Sequence, residues 1–166
     1  MKVRTSYFYQ IRNFKSNMIP MSTAMSDPAW YHDFKDKNYI FKDKRGILNG
    51  LRLNPIIVQG NCGHICPCEE KDPEHCPLTT DYEFELSLID FDKMYRAMEI
   101  FCHDYCQKEN IEEEPIAVLI VYETPDNLCS ERRSIQKLFN NHGIECKELD
   151  YPIQSLDTIK NEPFDF

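Results

Sequence analysis

Ile116-Ala117-Val118-Leu119-Ile120-Val121-Tyr122-Glu123-Thr124-Pro125-Asp126-Asn127-Leu128-Cys129-Ser130-Glu131-Arg132-Arg133 is the stretch on which the reading of this chain turns. Its first six residues are apolar without alternation, the pattern of a strand covered on both faces. Glu123 to Asn127 is rich in turn formers. Ser130 then stands where an N-cap belongs, Ile135, Leu138 and Phe139 recur at helical spacing, and Gly143 closes the helix. Ile144 to Leu149 reads as a second strand. About two dozen residues lie between the two strands, enough for one crossover helix, so they are predicted to run parallel. The expected class is α/β: a compact Rossmann-like domain over residues 1–166, with a mainly parallel sheet and flanking helices. In such sheets ligands sit at the carboxyl ends of the strands, which here is the turn after Val121.

Working outward, Lys2 to Phe8 is rich in β-formers and is predicted as the first strand. Met18 to Thr23 is a second candidate, and Pro20 places it at a strand entry or sheet edge. Ser26 to His32 reads as a loop or short helix, with Pro28 at an allowed early position. Residues 35–54 read as a long basic loop, and Asn54 to Gln59 as a brief extended segment. Thr79 to Lys108 is helical. Phe84, Leu88, Phe91, Tyr95, Met98, Cys102 and Tyr105 form an apolar stripe along it, and Asp90 or Asp92 can cap a fresh start near residue 90. A Cys-rich loop, 61–77, precedes this helix, and an acidic tail, 152–166, is expected to be loosely attached.

The charge is uneven. Residues 1–54 hold ten Lys and Arg against four Asp and Glu, whereas residues 55–166 carry a balance of −15. An acidic chain is a poor general nucleic-acid binder, because phosphate contacts supply most non-specific affinity. The basic N-terminal third also carries Tyr7, Phe8, Tyr9, Phe14, Trp30, Tyr31, Phe34, Tyr39 and Phe41. Aromatics among cations can hold a base and its phosphates, so nucleic acid is a possible partner there; the plainer reading makes these rings core. No run approaches the roughly 18 apolar residues of a membrane span, and Met1 to Tyr7 lacks a signal-peptide core. The expectation is a cytoplasmic protein without a membrane partner, whose eight cysteines serve as thiols, metal ligands or redox groups.

Two constellations can carry chemistry. At a helix N-terminus beside Arg132 and Arg133, a Cys129 thiolate gains from the dipole and from nearby positive charge, making it a candidate nucleophile. The same amides, with Ser130, Arg132 and Arg133, can bind phosphate or carboxylate. Glu123 directly follows the strand and is the candidate general base or nucleophile. The bland alternative is a small buried Cys129 with arginines paired to surface acids. The second constellation is Cys62, Cys66, Cys68 and Cys76, four thiols within fifteen positions that can wrap zinc tetrahedrally. An iron–sulfur cluster makes the same ligand demand, and free thiols are the plainer reading. Cys102, His103, Cys106 and Cys146 read as core or core-flanking residues rather than ligands.

Residues Val121 to Arg132 resemble the strand, Tyr-Glu, Pro, then Cys-and-Arg segment of the domain-of-unknown-function 488 family, which has phage and bacterial members. Leu88 to Asp92, Cys68, Cys76, Gly143 to Glu148 and Arg4 to Phe8 are similar to that family as well. The resemblance implies a Rossmann-like α/β domain with a site near Cys129, and no established reaction. The family's commoner pattern places His then Arg directly after the Cys; here Ser130 and Glu131 stand before Arg132, so a role needing that His does not carry over. The expected function is an enzyme acting on a nucleotide, nucleic-acid base or other phosphate-bearing small molecule. The alternative is a non-catalytic zinc-bearing binding or interaction protein.

Overall fold

The computed structural model describes residues 1–33, 46, 48–52 and 76–149. β1 (Lys2–Tyr7), β2 (Met18–Ser22), β3 (Ile116–Val121) and β4 (Cys146–Glu148) form one all-parallel sheet in the order β2-β3-β1-β4. The strands around Ile120 and Cys146 are parallel as expected, but β1 lies between them. Pro20 sits in β2 at the sheet edge, where a missing N–H costs least, and its carbonyl accepts from the Tyr31 hydroxyl at 3.2 Å.

Four helices flank the sheet among the described residues: α1 (Ala29–Asp33), α2 (Pro77–Ser87), α3 (Phe91–Lys108) and α4 (Arg132–Asn141). The unbroken apolar run of β3 divides by parity. Ala117, Leu119 and Val121 join the larger core with residues of α2, α3 and α4, while Val118 and Ile120 join a smaller core with Phe8, Ile11, Phe14 and Tyr31. Tyr7, Phe8, Phe14 and Tyr31 are therefore core, the plainer of the two readings of the N-terminal aromatics. Phe34, Tyr39 and Phe41 lie outside the described residues, as do most of the loop 35–54, the segment 54–59, Cys62, Cys66, Cys68 and the tail.

The long helix divides where Asp90 caps a new start, its carboxylate accepting from the Lys93 N–H at 3.1 Å. That break corrects the apolar stripe. Phe91, Met94, Met98, Cys102 and Cys106 face the core from α3, but α2 is rotated out of phase and buries Tyr82 and Leu86. Phe84 and Leu88 are instead 65% and 71% exposed. A stripe continues in register only through an uninterrupted helix. At the other end, Gly143 takes φ +77°, Ile144 N–H bonds to the Phe139 carbonyl at 3.0 Å and Gly143 N–H to that of Asn140 at 3.1 Å. This is a Schellman ending, which needs a left-handed residue at that position and so favours glycine.

From β1 the chain enters a 3-10 turn (Phe8–Asn13) on the smaller-core side; from β3 it enters α4 on the other. Neighbouring strands whose continuations leave to opposite faces open a crevice at their carboxyl ends.

Candidate functional site

The turn after β3 is built from short side-chain contacts. Asn127 Oδ1 accepts from the Cys129 N–H at 3.0 Å, and Thr124 donates to the Asp126 carboxylate, whose pKa that bond lowers. Ser130 joins two elements: its hydroxyl donates to Glu123 Oε2 at 3.0 Å and accepts from the Arg132 N–H at 3.2 Å. The N-cap position itself is Glu131, whose carbonyl accepts from the Ile135 N–H at 3.0 Å and whose side chain makes no cap bond. Ser130 therefore stands one residue before the cap expected of it, and its hydroxyl takes only the Arg132 N–H.

Arg132 and Arg133 are adjacent in sequence and face different ways, since one helical residue turns the side chain by about 100°. Arg132 is 4% exposed. Its Nη1 and Nη2 donate to the carbonyls of Thr124 and Glu123 at 3.0 and 2.6 Å. Its Nε lies 2.9 Å from Glu148 Oε2, an ion pair whose N–H is not aligned as a hydrogen bond. Thr5 donates to the same Glu148 oxygen at 2.7 Å, and Gln136, one turn beyond Arg132, donates to Thr5 at 2.6 Å. Burial raises the Glu148 carboxyl and the Arg132 charge opposes it. Arg132 is thus a brace tying the β3 turn to β1, β4 and α4.

Arg133 opens on the other side, into a groove of about 500 Å³ between α2 and α4. Thr79, Thr80, Glu83, Ser130, Ser134 and Lys137 also line it. Of the sequence-predicted anion-binding residues, Ser130 and Arg133 meet in this groove and Arg132 does not. Cys129 is half-buried on the turn and Glu123 reaches the groove's edge only through Ser130. Cys76 is buried at the start of α2, and the other three predicted zinc ligands lie outside the described residues. Among the described residues no three His, Cys, Asp or Glu side chains form a metal-holding group. Cys102 and Cys146 are core thiols that burial pushes up to about 12.

Glu131 carries no signal that separates it from its polar neighbours in sequence, yet it is buried beside this turn. Burial, then the negative charge of Glu123, pushes its carboxyl up to about 8, against its own backbone N–H and Arg132. The Tyr82 phenol is raised in turn, by burial first and then by Glu131 and Glu85. Glu131 therefore keeps its proton to higher pH in the folded chain than in the unfolded one. Folding takes up a proton in that window, so this group's stabilising contribution is complete in acid and lost as pH rises through about 8. The loss is at most about 1.4 kcal/mol per pH unit. Glu131→Gln is expected to match the wild type near pH 4 and to exceed it by a margin that grows to about pH 8. Urea denaturation across that range checks this; a difference independent of pH contradicts it.

Comparison with family models, curated proteins and solved structures found no match to this chain.

Proposed function

We propose that the chain is an enzyme acting on a nucleotide or another phosphate-bearing small molecule. Ser130 and Arg133 hold the anion, and Glu123 is the reacting carboxylate. The observation that carries this reading is the double engagement of Ser130, which lines the groove and donates to Glu123 at 3.0 Å. A ligand seated against Ser130 lies next to a carboxylate at the carboxyl end of a parallel strand, where such sheets place their chemistry. The helix N-terminus adds a favourable dipole for negative charge. A hydrolase or group-transfer reaction needs that carboxylate; a thiol-dependent one needs Cys129 instead. The likeness of Val121–Arg132 to the domain-of-unknown-function 488 family supports the same turn.

The test is incubation with a panel of mononucleotides, followed by chromatography for released base or phosphate. Glu123→Gln is expected to lower turnover about a hundredfold or more, while Cys129→Ala leaves it within about twofold. Loss at Cys129 with retention at Glu123 transfers the reacting role to the thiol, and absence of turnover across the panel contradicts the reading.

Zinc on Cys62, Cys66, Cys68 and Cys76 is a separate proposal, motivated by four thiols in fifteen positions with Cys76 buried three residues before Thr79 of the groove. About one zinc per chain by elemental analysis, lost when Cys62 and Cys66 are replaced by serine, is the expected result for a four-ligand site. Zinc-free protein of unchanged stability contradicts it.

A further inference from the structure

Glu83 projects from α2 into the groove and engages two donors of α4. Its Oε1 accepts from the Ser134 hydroxyl at 3.1 Å and its Oε2 from Lys137 Nζ at 3.0 Å. Ser134 is buried, so its hydroxyl is fixed within the groove wall. Arg133 and Lys137 are one turn apart on the same helix face, and Arg133 makes no ion pair among the described residues. A carboxylate held by a hydroxyl and an ammonium, with a guanidinium left over beside it, is the donor arrangement that receives a phosphate.

We propose that Glu83 is an internal stand-in for an anionic ligand: it occupies the donors with which Ser134, Lys137 and Arg133 bind a phosphate monoester, and the ligand displaces it. This rests on the reading of the groove as the ligand site and deepens it. Charge supports the exchange. With Glu83 in place the three charged groups sum to +1; with its carboxylate swung out, the two cations match a phosphate monoester, which carries about −1.5 to −2 at neutral pH. The contact is also cheap to break, since Lys137 is largely exposed and water screens such a pair. The groove continues over Leu86, Leu138 and His142 as a second hollow of about 200 Å³, giving an organic body room beyond the phosphate. The combined space falls in the range of small-molecule sites, about 300–1,000 Å³.

Calorimetric titration of the full chain with inorganic phosphate and with AMP tests this. Glu83→Gln is expected to tighten both by about fivefold or more, and Arg133→Gln to weaken both by about tenfold. AMP is expected to bind more tightly than phosphate. Asp81→Asn makes the same charge change on α2 outside the groove lining and is expected to leave affinity unchanged. Urea denaturation of each variant separates a purely structural bridge, which changes stability and not affinity. If Glu83→Gln leaves phosphate affinity unchanged or weaker, or if Asp81→Asn tightens it equally, the stand-in role is overturned. Binding by the wild type with no response to Glu83→Gln sinks this inference and leaves the groove as the ligand site. Tightening by Glu83→Gln without nucleotide turnover sinks the proposed reaction and leaves this inference standing. No binding by either protein sinks both.

Discussion

Arg132→Leu is expected to destabilise the fold by about 3–5 kcal/mol, whereas Arg133→Leu changes it by less than about 0.5. The two arginines are neighbours in sequence, and only the first is buried. Removing its guanidinium strips donors from the Glu123 and Thr124 carbonyls and leaves the Glu148 carboxylate with Thr5 alone. A half-buried carboxylate that loses its countercharge, together with two carbonyls that lose their partners, places this change among the severe ones. The turn bearing Glu123 and Ser130 would lose its attachment to β4 at the same time. Urea denaturation followed by circular dichroism measures the difference. A loss below about 1 kcal/mol for Arg132→Leu contradicts the brace.

Phe139→Ala is the second large effect, at about 3–5 kcal/mol. The ring is fully buried and meets Phe91 edge-on at 5.2 Å and Tyr95 at 6.4 Å, joining α3 to α4 over the sheet. Truncation leaves a cavity that two helices and a sheet cannot close without moving. Phe84→Ala is the matched control. It lies on the stripe that periodicity alone assigns to the core, yet it is exposed, and its loss costs under about 0.5 kcal/mol. Comparable losses for the two variants would contradict the division of the helix at Asp90.

Those two phenylalanines mark how far the sequence could be read. The strands were legible because β3 is apolar without alternation, as burial on both faces imposes, β1 is rich in β-formers, and Pro20 marks β2 as an edge. The Asp90 cap and the Gly143 ending were legible too, as chemistry of single residues. The phase of α2 was not, because rotation about a helix axis is set by its neighbours; Tyr82 is positioned by a bond to the Leu51 carbonyl at 2.5 Å. In the site, the turn followed from a strand end, while the helix cap fell at Glu131, one residue after the expected Ser130. The separation of Arg132 from Arg133 needed the helix to be placed against β4, and the Gln136–Thr5–Glu148 chain needed three elements brought together. Nothing local distinguishes Glu83 from the other acids of α2, since its partners lie about fifty positions away.

The direct test of the site itself is an amide-resonance titration of isotope-labelled chain with AMP. Saturable shifts confined to Thr79–Ser87, Glu123 and Ser130–His142 are the expected result. Shifts absent there, or centred instead on the basic N-terminal third, would contradict a ligand site at the start of α4.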